Sequence, residues 1–207
     1  MPKNILILLL FAIVIFLSVY SVWRISQPRI LSLDEMKANG FIMYGENQRV
    51  REYELIDHNG QPFTNDDFQK KKLNFVYFGY TSCPTECPVM MSVMRQLYEK
   101  IDTDQIAYYL VSFDPEIDTL DRLKTYVTGF NDEFMGLTGE ITEVTKFGYQ
   151  LGVEKLAPME NHLNQRVIEH TNHLILINSE AEVIGIFKAP FESSSMALVI
   201  KSLLRKY

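Results

Sequence analysis

Residues 5–23 form 19 consecutive positions without a charged side chain, and no other feature constrains the chain as strongly. A helix rising about 1.5 Å per residue carries that run across roughly 28 Å, close to the hydrocarbon thickness of a bilayer. A buried core helix is the bland alternative, and it is weak because the run is apolar on every face and terminal. Tyr20 and Trp23 fall at its far end, where interfacial aromatics sit. A cleaved signal peptide is the competing reading, with Val19, Tyr20 and Ser21 as a small-residue processing site. The run exceeds the roughly 7–15 apolar residues of a signal core. The expectation is therefore a retained transmembrane anchor, residues 1–25. The few cations around it, Lys3 against Arg24 and Arg29, leave its orientation open.

The remainder is acidic. No carboxylate precedes Asp34, so residues 34–207 hold all 26 Asp and Glu against 17 Lys and Arg, a net charge of −9. With no basic stripe in it, such a body excludes the electrostatic footprint of a nucleic-acid binder. Residues 26–50, with Pro28, Gly40 and Gly45 and no clear period, read as a linker ahead of a domain over 51–207. In that domain 51–56 and 61–64 read as a hairpin around Asp57-His58-Asn59-Gly60. Buried strands are expected at 73–80 and 106–113, a short one at 134–137, and a late hairpin at 174–177 and 183–187. Helices are expected at 88–101, 119–130, 140–151 and 193–204. This alternation predicts an α/β fold, a central sheet flanked by helices.

The only two cysteines, Cys83 and Cys87, stand between the strand ending at Tyr80 and the following helix. Pro88 suits a first helical position, where a missing N–H costs nothing. Cys87 then becomes the cap, its sulfur near the positive end of the helix dipole and inclined to ionise. Two structural cysteines acting as small hydrophobes are the bland alternative. The separation is one residue longer than the Cys-x-x-Cys of redox catalysts. A structural zinc site would want four ligands. Two thiolates with one imidazole suit copper, because thiolates favour Cu(I) and histidine accommodates both oxidation states.

Four histidines compete for the third place. His58 reads as a solvated turn residue, His162 as part of an exposed loop, and His173 as a packing or edge residue opening a strand. His170 precedes that strand on a loop which, in a thioredoxin-like fold, faces the cysteine pair. Thioredoxins place a cis-proline there, and no proline occurs between Pro158 and Pro190.

The run Phe78-Gly79-Tyr80-Thr81-Ser82-Cys83-Pro84-Thr85-Glu86-Cys87-Pro88 resembles the signature of the SCO/SenC family. Ser112-Phe113-Asp114-Pro115-Glu116-Ile117-Asp118-Thr119, Gly136-Leu137-Thr138-Gly139 and Glu169-His170-Thr171 are similar to its further motifs. The likeness covers roughly residues 50–205. It implies a thioredoxin-like fold and a copper site of Cys83, Cys87 and His170 taking Cu(I) or Cu(II). It further implies a role in assembling the dinuclear copper centre of cytochrome c oxidase. Ser82 stands where many members carry histidine and Glu169 where aspartate is usual, so the surroundings of His170 depart from the pattern.

Asp114 and Glu169 are candidates to support the ligands from behind, while Asp118 is expected to cap the next helix, with Thr119 as the other candidate for that cap. Met90, Met91 and Met94, at helical spacing, read as core. The leading function is a copper metallochaperone, without turnover, serving the copper-bearing subunit of cytochrome c oxidase. Other copper chaperones or thiol–disulfide reductases are further expected partners. The alternatives are a thiol–disulfide oxidoreductase acting on a partner's cysteines and a copper- or redox-sensing module. Only four residues precede residue 5, too few for an organelle-targeting segment, so the expected location is a bacterial inner membrane with the domain facing the periplasm.

Overall fold

A computed structural model describes residues 3–26, 29–164 and 166–207. The chain divides into two compact units, residues 1–30 and 31–207. The first is the helix α1 (Lys3–Ser26). Its apolar span, residues 7–24, has no buried side chain and is long and apolar enough to cross a membrane.

The second unit begins earlier than the sequence suggested. Within residues 26–50, expected as a linker, stand the helix α2 (Leu33–Ala38) and the strand β1 (Phe41–Arg49). Ser32 accepts the N–H of Glu35 while Glu35 reaches back to the N–H of Ser32, a capping box. β1 escaped notice because it is an edge strand whose pairing is interrupted between Met43 and Gln48. Phe41 nonetheless anchors it, fully buried with its ring 4.8 Å from that of Phe187.

The other elements follow the alternation. They are β2 (Leu55–Asp57), β3 (Pro62–Phe63), α3 (Asn65–Phe68), β4 (Leu73–Gly79) and α4 (Glu86–Ile101). Next come β5 (Ile106–Ser112), α5 (Leu120–Thr128), β6 (Met135–Thr138) and α6 (Ile141–Gln150). The chain continues through β7 (Met159–Glu160), β8 (Arg166–Val167), β9 (His173–Asn178), β10 (Glu182–Lys188) and α7 (Ser193–Lys206). One sheet runs β1-β10-β9-β4-β5-β6-β2-β3, and β7 pairs with β8 separately. All seven residues of β4 are buried, as a central strand covered on both faces requires. Met90, Met91 and Met94 are core, as expected.

The register positions the site. β4 and β5 are parallel and end together, Gly79 opposite Ser112. β9 runs antiparallel beside β4, Tyr77 opposite Leu174. The loops after β4 and β5 and the approach to β9 therefore meet at one end of the sheet, outside the carboxyl ends of parallel strands.

The hairpin of β2 and β3 forms as expected, Leu55 opposite Phe63, with Gly60 at φ +78° in its turn. His58 is not solvated, which corrects the expectation for it. It is 8% exposed, and its Nδ1 accepts the N–H of Gly136 at 3.1 Å. β2 pairs with β6 as well as β3, which draws the turn under cover. Burial, ahead of the opposing charge of Asp57, holds the imidazole below its ordinary value.

Candidate metal centre

α4 starts two residues earlier than Pro88 suggested. Thr85 is its cap and Glu86 its first residue, so Cys87 lies within the first turn and Pro88 follows it there. Proline is tolerated at either place, because the first four N–H groups of a helix have no partner inside it. The shift exchanges the roles of the two sulfurs. Cys87 is 0% exposed, while Cys83 is half-buried on the preceding turn. The N–H of Cys87 points back to Cys83 Sγ at 3.4 Å.

Cys83 is therefore the thiol that ionises, and the expectation for Cys87 is corrected. Cys83 is held down at about 5, first because the Cys87 thiol donates to it. Partial burial opposes this, and the backbone N–H groups of Cys87, Thr85 and Glu86 add to it. Cys87 is pushed up, first because its proton is committed to Cys83, then by burial and by the neighbouring charge. Both cysteines are free thiols.

His170 enters from the other side. Its Nδ1 stands 3.0 Å from the carbonyl of Thr171, which places the proton there and leaves Nε2 as the lone-pair nitrogen. Its ring is enclosed by Phe113, Tyr77 and Tyr80 at centroid distances of 5.6, 6.2 and 6.5 Å. Tyr77 and Tyr80 also touch the thiols, Tyr77 at Cys87 and Tyr80 at Cys83. The same two tyrosines thus border both the imidazole and the sulfurs. Burial, with the nearby thiols, raises both phenols, Tyr80 to about 12. Tyr77 donates to Asn172 at 3.2 Å, and Tyr80 accepts the N–H of Ile168 at 3.0 Å, fixing the segment that bears His170. Among the described residues, no three His, Cys, Asp or Glu side chains stand close enough to hold one ion. The fold brings the two sulfurs together and sets His170 beside the tyrosines that border them.

The remaining candidates divide. Asp114 is 2% exposed and takes a two-pronged contact from Arg166, at 3.1 Å from Nε and 2.9 Å from Nη2. It ties β8 to the loop after β5 instead of touching His170. Glu169 is exposed, and its carbonyl accepts the N–H of Leu156. The expectation that Asp118 caps α5 is corrected: Thr119 is the cap, its hydroxyl accepting the N–H of Arg122, while the Asp118 carboxylate is occupied by Thr81 and Ser112. His162 is exposed, as expected, and His173 is partly buried at the start of β9. Ser82 has a buried hydroxyl without a hydrogen-bond partner. Sequence reasoning missed Tyr77, Tyr80 and Arg166. The two tyrosines carried a signal, since a phenol in a wholly buried strand needs a partner at its tip. Arg166 lay in a polar stretch with nothing to single it out.

A model of the SCO1/SenC family matches residues 43–205. The chain belongs to the SCO1/SenC family. It is 31% identical over 151 residues to an SCO2-like protein of Rickettsia typhi, across 70% of this chain and 73% of that one. Copper-bound ScoI of Arabidopsis thaliana superposes with a TM-score of 0.71 at 23% identity, over 77% of this chain and 100% of the other. BsSco, a member of the Sco family of cytochrome c oxidase assembly proteins in which a disulfide switch was identified, superposes at 0.58 with 20% identity. That superposition covers 79% of this chain and 98% of BsSco. These likenesses give the SCO domain its thioredoxin-like fold. Among its relatives, a protein of Stutzerimonas stutzeri, 28% identical over 166 residues and across 79% of this chain and 80% of that one, is named a putative copper-binding protein.

Proposed function

We propose that this SCO protein is a copper metallochaperone that carries one ion on Cys83, Cys87 and His170 to the copper-bearing subunit of cytochrome c oxidase. The observation that carries this reading is the pair of sulfurs at the start of α4. One thiol is already inclined to ionise under the N–H of Cys87, with a second behind it. Soft thiolates favour Cu(I), and the free Nε2 of His170 supplies a nitrogen that also suits Cu(II). The two sulfurs differ in a way that fits cargo delivery. Cys87, deep in the core, keeps hold while half-buried Cys83 can be reached by a recipient's ligands.

In this reading α1 is retained as an anchor in a bacterial inner membrane with the domain in the periplasm. Alkaline carbonate should leave the chain in the membrane, and a mature amino terminus at Val22 would show cleavage instead. Metal analysis of the reduced full chain in detergent should give one copper per chain. Loss of either cysteine to Ala should abolish tight binding, and full tight binding by the double variant rules the site out.

One observation favours a second reading, thiol–disulfide oxidoreductase: a low, half-exposed thiol beside a raised, buried one is also the arrangement of an attacking and a resolving cysteine. His170→Ala separates the two. Under copper limitation the chaperone reading expects lost oxidase activity, partly restored by added copper. Normal activity in that variant, with loss in Cys83→Ala, puts the thiol reading first.

A further inference from the structure

Asp118 touches neither sulfur, and the capping duty of its segment belongs to Thr119. Its carboxylate is nevertheless 1% exposed. Oδ2 accepts the N–H of Thr81 at 2.9 Å and the hydroxyl of Ser112 at 2.5 Å. Oδ1 accepts the Thr81 hydroxyl at 2.5 Å. Arg122 completes the ring, donating from Nε to Thr81 Oγ1 at 2.6 Å while standing 3.9 Å from Asp118 Oδ1. Thr81 is the second residue of the turn that Cys83 closes, its N–H to the carbonyl of Tyr80 at 3.2 Å.

We propose that Asp118 is a positioning residue for Cys83, holding the turn of residues 80–83 through both the backbone and the side chain of Thr81 so that the Cys83 sulfur stays under the N–H of Cys87. The inference rests, for its copper consequence, on the reading that Cys83 is a ligand. The physical case is one of cost. Desolvating a carboxylate is expensive unless its lone pairs are taken, and here two of the three hydrogen bonds come from Thr81 on the loop that carries the thiol and the third from Ser112. Hydrogen bonds to a charged acceptor are about twice as strong as neutral ones. The turn is thereby tied to Ser112 at the end of β5, the strand beside β4, and inherits the rigidity of the sheet. Ser82 contributes no side-chain bond, which leaves Thr81 as the side-chain tie of residues 81–82. Partners one layer behind a ligand typically change metal affinity by about 10–100-fold when removed.

The test uses the reduced full chain in detergent, with Asp118→Asn, Thr81→Val and Thr81→Ser. Cu(I) affinity is read by competition with a colorimetric chelator, and the Cys83–Cys87 couple by its oxidised fraction at a fixed glutathione ratio. Asp118→Asn and Thr81→Val should bind Cu(I) about tenfold or more weakly. Their oxidised fraction should rise, because a less supported thiolate makes the reduced form less stable. Thr81→Ser, which keeps the hydroxyl, should match the parent in both. Variants that melt earlier yet keep parental affinity and oxidised fraction overturn the proposal. If Asp118→Asn does not fold, Thr81→Val against Thr81→Ser decides, and equal values overturn it. If Cys83→Ala keeps tight copper binding, the ligand reading fails, while the glutathione equilibrium still tests the positioning of Cys83.

Discussion

Gly79→Ala tests how much displacement the deep side of the site tolerates. A Cβ at position 79 would stand 2.8 Å from Cys87 Sγ, 3.2 Å from Leu110 Cδ1 and 3.3 Å from Tyr77 Cε1. Gly79 ends β4 in an ordinary extended conformation, so the cost is one of space and not of backbone strain. Reaching the 3.4 Å of ordinary contact takes the sulfur back by 0.6 Å. The sulfur cannot retreat freely, since Cys87 is 0% exposed and lies in the first turn of a helix packed on α7. Overpacking of this kind costs about 1–3 kcal/mol. A chain of this size loses about 2–4 °C per kcal/mol, so the thermal midpoint should fall by about 2–12 °C. Functional constellations tolerate about 0.5 Å, so Cu(I) affinity, read by chelator competition, should fall about tenfold or more. A Gly79→Ala chain that keeps the parental midpoint and the parental Cu(I) affinity refutes this packing of Cys87 against β4.

The thiols should react unequally. In the native reduced chain iodoacetamide should label Cys83 with a rate that rises through about pH 5, and label Cys87 only after denaturation. Comparable labelling of both at neutral pH, read by peptide mass spectrometry, contradicts the assignment. His58 should make the domain acid-sensitive before its carboxylates do. Its folded value lies below the ordinary 6.5, so the unfolded chain takes up the proton first and stability is lost as pH falls below about 6.5. The slope is at most about 1.4 kcal/mol per pH unit for this one group. Urea midpoints of the chain and of His58→Gln should diverge between about pH 7 and 5, and parallel curves would remove His58 as the cause.

The fold was legible where burial imposes a period. β4, β5, β9 and β10 are runs of β-branched and aromatic residues bounded by turns, and the interior of a mixed sheet demands that pattern. β1 shows none of it. Its first residues are apolar and its last are Gly45, Glu46, Asn47, Gln48 and Arg49, because an edge strand with an interrupted register has only part of one face to bury. α2 was missed for a related reason. Six residues with one buried side chain, Met36, are too few to show a helical period, although Ser32 and Glu35 spelled out its cap. His58 read as solvated because an Asn-Gly turn is normally exposed, and nothing local reports that β6 packs across it.

The site was legible at the level of residue types and opaque at the level of roles. Two cysteines four apart before a helix announce a pair of sulfurs, but which one the helix serves depends on where the first turn begins. Proline at 88 is compatible with a start at 86 or at 88, since neither position asks for its N–H. Starting at 88, Cys87 would be the cap and would receive the N–H groups of the turn that follows. Starting at 86, as it does, the N–H of Cys87 is itself one of those donors and feeds Cys83. Asp118 misled in the same manner. Asp and Thr are both good caps, and Asp118-Thr119 offers them in succession. Only the parallel register, which sets Ser112 beside Gly79, brings the loop after β5 against the loop after β4. Once those loops touch, the outer residue of the pair can cap α5, and the inner one is released to hold Thr81. The chemistry of the cysteines therefore depends on a carboxylate more than thirty residues away, and the sheet alone places it there.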